Sequence, residues 1–136
     1  MFVKSYMTLP IDFKLSDDPV LLDSRYQFPV DKSVTLIQGA FPSFNYQDYI
    51  GKNKNYPSKA VEKQIEGLVA IQFIVEVDSS ISAITILEGK DLGYGLPEEA
   101  LRLIRNMPAW KPALDNNKKQ VRSYVIVPVV FELKDK

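Results

Sequence analysis

Two long stretches that alternate apolar and polar residues, with one amphipathic helix between them, most limit what this chain can fold into. In Leu68 to Asp78, Val69, Ile71, Phe73, Val75 and Val77 fall on one face, and Gln72, Glu76 and Asp78 fall on the other. A period of two is that of a β-strand with one face buried. The closing stretch repeats the pattern, with Val121, Val125, Val127, Val129, Phe131 and Leu133 facing one way and Arg122, Tyr124 and Glu132 the other. After a turn at Asp78-Ser79-Ser80 comes Ile81 to Leu87, rich in Ile and Thr, which predicts a hairpin with the first strand. Pro97 opens a helix in which Ala100, Leu103, Ile104 and Met107 keep the i, i+3, i+4, i+7 spacing. Glu98 and Glu99 stand in its first turn and Arg102 and Arg105 in its last, as the helix dipole favours. Its apolar stripe is expected to pack on the hairpin.

The connector Met107-Pro108-Ala109-Trp110-Lys111-Pro112 carries the only tryptophan. Its two prolines cannot continue a helix, and each pushes its predecessor toward extended backbone, so Met107 is expected to end the helix and Lys111 to be extended. Trp110 is then held on a stiff segment, and a large aromatic there is expected to plug the core rather than to stack on a ligand. Pro128 has no N–H to give a ladder, so the last strand should lie at a sheet edge or carry a bulge at that point.

Earlier in the chain, Pro10, Pro19 and Pro29 break the pattern, and residues 1–40 read as an irregular arm preceding a domain at 41–136. Val34-Thr35-Leu36-Ile37 is long enough for a short strand at a sheet edge, whereas Val20-Leu21-Leu22 has no decidable period. Phe44, Tyr46, Tyr49 and Ile50 suggest a short helix or turn on the core, ended by Gly51, Asn53 and Asn55. Pro57 suits the first turn of another short helix, for which Gly67 is the expected exit.

Several functions are disfavoured. The 17 basic and 17 acidic residues cancel without a long run of one sign, which leaves no electrostatic footprint for nucleic acid. Lys52 and Lys54 alone do not turn the nearby aromatics into a base-stacking platform. With neither Cys nor His there is no thiol nucleophile, imidazole base, disulfide or zinc ligand set. Neither Asp17-Asp18 nor Asp78 has the spacing of a calcium loop, so no metal and no cofactor is expected. Gly89, Gly93 and Gly95 do not make a phosphate loop, because Glu98 and Glu99 stand where Lys-Ser/Thr would be needed. Those two glutamates are adjacent on a helix and point apart, and Ser79-Ser80 has no base beside it, so catalysis is not expected. No uncharged run approaches the roughly 18 residues of a membrane helix.

The order of Phe41-Pro42, Tyr56-Pro57 with Ala60, Ile65-Glu66-Gly67, Ile84 and Ile86, Glu99-Ala100-Leu101, Met107 to Ala113, and Pro128-Val129-Val130-Phe131-Glu132-Leu133 resembles the C-terminal domain of the TonB energy-transducing family, in its Bacteroidetes-type form. Tyr56, Pro57, Gly67, Pro108, Trp110, Pro112 and Phe131 are the structural signature of that resemblance. The family's usual Asp-Gly turn is here Asp78-Ser79-Ser80, and its Asn-Gly-Lys turn is Asn116-Asn117-Lys118, where Asn tolerates positive φ. Val61 stands where some members carry a polar partner contact. No membrane anchor or Pro-rich spacer is seen before Phe41.

The resemblance implies an α+β, two-layer fold, a small antiparallel sheet with two helices on one face. It also implies a periplasmic module that grips the TonB-box peptide of an outer-membrane transporter by strand addition and couples inner-membrane energy to transport. The expected partner-binding residues are the strand Val121, Arg122, Ser123, Tyr124, Val125, Ile126 and Val127, whose outer edge the short tail beyond it is not expected to cover, with Lys59 and Val61 facing the transporter. Arg122, Tyr124 and Ile126 are expected to point outward beside the peptide. Inner-membrane proton-channel proteins would be partners through an anchor upstream, and the edge strand could instead pair with a second copy of the chain. The alternative is a TonB-like periplasmic domain that binds peptides or itself without transducing energy.

Overall fold

The computed structural model describes residues 27–133, so the Val20-Leu21-Leu22 cluster, the Asp17-Asp18 pair and the opening residues lie outside the described residues. In chain order the elements are β1 (Gln27–Pro29), β2 (Leu36–Gln38), β3 (Phe41–Pro42), α1 (Tyr46–Asn53), α2 (Ser58–Lys63), β4 (Gly67–Val75) and β5 (Ile81–Glu88). A single 3₁₀ turn, Lys90–Leu92, then leads to α3 (Leu96–Arg105), β6 (Trp110–Lys111), β7 (Ala113–Asp115), β8 (Gln120–Val121) and β9 (Ser123–Phe131). The main sheet has the order β1-β9-β4-β5, all antiparallel. Its centre is the β4–β9 pair, in register without a shift from Gly67↔Phe131 to Val75↔Ser123.

The alternation in β4 and β9 places Val69, Ile71, Phe73, Val75, Val125, Val127, Val129 and Phe131 in one core with Ala100, Leu103 and Ile104 of α3. All of these are fully buried, as is Trp110, whose ring meets Phe73 edge-on at 5.3 Å and Phe44 at 6.4 Å. The tryptophan is therefore the core plug expected, and the helix before it stops at Arg105 with Asn106 as its cap. One expectation is corrected. β4 is not half-buried, because Ala70, Gln72 and Ile74 on its other face are buried as well. Ala70 and Ile74 share Gln72's face and are apolar, so the alternation of that strand was never complete.

Local chemistry sets the helix ends. The Asn45 side chain accepts the Asp48 N–H at the start of α1. α2 ends not at Gly67 but at Gln64, which takes the left-handed conformation (φ 56°) while the Ile65 N–H reaches back to the Ala60 carbonyl at 2.8 Å. Gly67 instead opens β4, where a Cβ would sit 2.8 Å from the Leu92 side chain. Gly89 has φ 95°, and its missing Cβ leaves room for the Leu68 carbonyl.

Two small sheets complete the fold, β2-β7-β8 and β3-β6. The expected edge strand at Val34 to Ile37 is thus found slightly later, at Leu36–Gln38. In the turn between β7 and β8 the left-handed residue is Lys118 (φ 63°) rather than an asparagine. The Asp115 carboxylate holds that turn by accepting the N–H groups of Asn117 and Lys119 at 2.8 and 2.9 Å.

Candidate functional site

The candidate site is the outer edge of β9, the side turned away from β4. Residues 122, 128 and 130 show which backbone groups face it, since the Arg122 carbonyl accepts from the Val30 N–H, that of Pro128 from the Tyr46 hydroxyl, and that of Val130 from the Lys54 ammonium. Pro128 therefore lacks its N–H on the outer side, and the β4 ladder runs past it unbroken through Ala70↔Pro128. At that point the strand is an edge, as the proline requires.

Further toward its start the strand is not open. Gln27–Pro29 pairs with it antiparallel, Gln27↔Val125, Phe28↔Tyr124 and Pro29↔Ser123. The expectation of an uncovered edge over Val121 to Val127 is corrected accordingly. The cover comes from before Phe41 rather than from the tail, and a three-residue strand bounded by proline has no readable period.

This short strand is held by more than its ladder. The Phe28 ring stacks on Tyr124 at 4.9 Å. The Gln27 amide, buried, donates to the Ala40 carbonyl and accepts the Ala40 N–H, both at 2.7 Å. That double contact needs Gly39, since a Cβ there would meet Gln27 Oε1 at 2.7 Å.

The structure separates the other expected site residues. Val121 lies in β8, paired with Ala113. Arg122 is exposed and holds Glu76 through Nε at 2.6 Å and Nη2 at 3.2 Å. Ser123 is buried, and its Oγ has no partner among the described residues. Val125 and Val127 point into the core, and Tyr124 is half-buried. Ile126, expected outward, is only 6% exposed, because it shares the second buried face with Ala70 and Ile74. Lys59 and Val61 are exposed on α2, on either side of buried Ala60.

Of the signature residues, the Tyr56 hydroxyl donates to the Ile65 carbonyl while its ring meets Phe131 edge-on at 5.5 Å. Pro57 lies against Gly95, Pro112 is buried and Pro108 is exposed. Gln27, Ala40, Tyr46 and Lys54 were missed as parts of the edge. Tyr46 carried only a packing signal, Lys54 stood out only as one of two charges too few for a base-stacking platform, and nothing in the sequence marked Gln27 or Ala40.

Charges around the edge are fixed by specific contacts. Hydrogen bonds from Arg122 and Ser82 hold the Glu76 carboxyl below its usual range. Burial pushes the Lys54 ammonium down and the Tyr46 phenol far up, so Tyr46 stays a neutral donor. Behind the edge, burial alone would raise Glu99, but the Arg102 guanidinium and the Asn55 N–H outweigh it and keep the carboxyl below its usual value.

The opposite edge of the sheet is irregular. β5 takes one extra residue between the pairs Gln72↔Thr85 and Ile74↔Ser82, and another between Ala70↔Glu88 and Ile71↔Ile86, with Ala83 at φ 53°. Bulges of this kind blunt an edge against pairing. Among the described residues no three His, Cys, Asp or Glu side chains gather to hold a metal ion, and no helix is long and apolar enough to cross a membrane.

The architecture defines an α+β domain in which helices cover one face of an antiparallel sheet and a strand edge is the candidate site. The family of the Gram-negative bacterial TonB protein C-terminal matches residues 52–133, more than half of the chain, and the chain belongs to that family. It is thus a TonB-type periplasmic domain, of a family that is transport-associated and not enzymatic. Among solved structures it is similar to a longer and a shorter solution structure of the Helicobacter pylori TonB C-terminal domain. The longer has 22% identity and TM-score 0.46 over 66% of this chain and 78% of that one. The shorter has 23% identity and TM-score 0.44 over 67% and 92%. No curated protein matches the chain.

Proposed function

We propose that this domain binds the TonB-box peptide of an outer-membrane transporter by adding it as a strand to the outer edge of β9, and so couples inner-membrane energy to transport. The observation that carries the reading is the contrast between the two strands that flank β4: β9, covered on its outer side only by the three residues of β1, is regular over nine residues, whereas β5 is broken by two bulges. Main-chain pairing needs a regular ladder, so β9 is the edge suited to a guest strand. Family membership supplies the class of partner. Lys59 and Val61, exposed on α2, would meet the transporter body, and inner-membrane proton-channel proteins would be reached through an upstream anchor. Ordering a flexible peptide offsets much of the pairing energy, so affinity in the micromolar range is expected.

The test is an NMR titration with synthetic TonB-box peptides from transporters of the same organism. Amide shifts concentrated between Val121 and Val127 support the reading. Shifts confined to β5, or none at millimolar peptide, refute it. A concentration-dependent dimer whose contacts fall on the same edge would point instead to self-association.

A further inference from the structure

We infer that β1 is a resident competitor: Gln27–Pro29 occupies the place of the guest strand, and a partner docks fully only by displacing it. The inference rests on the peptide-binding reading and adds a regulatory device and a specificity requirement to it. β1 pairs with Ser123, Tyr124 and Val125, in the middle of the expected docking strand. A guest cannot simply add outside it, because β1 offers three residues and its last, Pro29, has no N–H. The guest cannot extend freely past Ile126 either, since the carbonyls of Pro128 and Val130 are already taken by Tyr46 and Lys54. The stretch with the most to offer is the one that β1 covers.

Displacement would expose two things besides the ladder. One is the face of the Tyr124 ring, now stacked on Phe28. The other is the N–H and C=O of Ala40, now both satisfied by the Gln27 carboxamide. A guest that leaves that pair unsatisfied is penalised, so the edge favours a segment carrying Gln or Asn beside an aromatic or large apolar side chain, the chemistry of β1 itself.

A reversible lock tests this. Pro29 and Ser123 flank the hydrogen-bonded pair Phe28↔Tyr124, so they form a non-hydrogen-bonded pair with Cα atoms about 4.5 Å apart, within reach of a disulfide. The chain has no cysteine, so Pro29→Cys with Ser123→Cys creates one defined bond. Release variants are Gly39→Ala, which drives a Cβ into Gln27, and the milder Gln27→Ala, which serves if the first does not fold by circular dichroism. The probe is the same set of synthetic TonB-box peptides, read by NMR titration.

The oxidised double variant is expected to bind at least tenfold more weakly than the same protein after reduction, and a folded release variant at least threefold more tightly than the parent. Equal affinity in the oxidised and reduced states overturns the competitor role while leaving the peptide reading intact. Failure of the two cysteines to oxidise also overturns it, since the strands would not then be neighbours. If neither the parent nor a folded release variant binds any peptide, the peptide-binding reading falls, and the competitor with it.

Discussion

Replacing Trp110 tests the core most directly, because two substitutions there make opposite demands on it. The side chain is fully buried between Phe73 and Phe44. An aromatic side chain buries about 150–250 Å², which at about 25 cal/mol per Å² is roughly 4–6 kcal/mol of transfer free energy. A compact unfolded chain lowers that by about 10–40%. Trp110→Ala is therefore expected to destabilise by about 3–5 kcal/mol, the range seen for large aromatics cut to alanine. Trp110→Phe behaves differently. The indole Nε1 finds no acceptor among the described residues, so the parent carries the cost of a buried unpaired donor, about 1–3 kcal/mol. Phenylalanine removes that donor while opening a smaller cavity, and the two effects should leave stability within about 1 kcal/mol of the parent. Urea unfolding read by far-ultraviolet circular dichroism measures both, since tryptophan fluorescence is lost in the variants. A loss below about 1 kcal/mol for Trp110→Ala would refute burial as the ring's role. A loss for Trp110→Phe as large as that for alanine would show that the N–H is satisfied after all.

At Gly89 the positive φ and a Cβ that would lie 2.3 Å from the Leu68 carbonyl oxygen combine, so Gly89→Ala is expected to cost at least about 2 kcal/mol in the same urea experiment. Glu99→Gln should cost on the order of 2 kcal/mol at neutral pH, because it weakens charge-assisted bonds to Arg102 and the Asn55 N–H. The sign with pH is set by Glu99's carboxyl lying lower in the folded state than its usual 4.5. Its contribution is complete above that value and is lost as pH falls through the depressed one, so thermal melts of parent and variant should converge in strong acid but not near neutrality. Convergence at neutral pH instead would refute the assignment.

What the sequence made legible was whatever repeats. The alternation of Val69 to Val75 and of Val125 to Phe131, the stripe Ala100, Leu103, Ile104 and the proline-bounded Trp110 are periodic or punctuated signals, and each lies in the core where expected. β4's second face departs from the half-buried expectation because Gln72 is flanked there by apolar Ala70 and Ile74, and one polar residue between two apolar ones does not make a solvent face. The exit of α2 was misplaced because Gly67 is the stronger intrinsic left-handed residue, yet it is needed as a gap for Leu92, so Gln64 takes the turn. The cover of β9 was invisible for a different reason. Gln27, Phe28 and Pro29 find their partners Ala40, Tyr124 and Ser123 only across the fold, and three residues have no period.

The order of pairing in the sheet also has a kinetic side. The β4–β5 hairpin and α3 join residues that are near neighbours along the chain, so they can form before the rest. The β4–β9 ladder must instead close on segments as far apart as Gly67 and Phe131, and β1 must find Val125 from Gln27. Loop closure is the slow, entropically opposed part of assembling such contacts. β1 spans the longest loop of the sheet and gains the fewest ladder bonds. In folding it should therefore arrive last, and in the native ensemble the amides that pair with it should exchange with solvent sooner than those between β4 and β9.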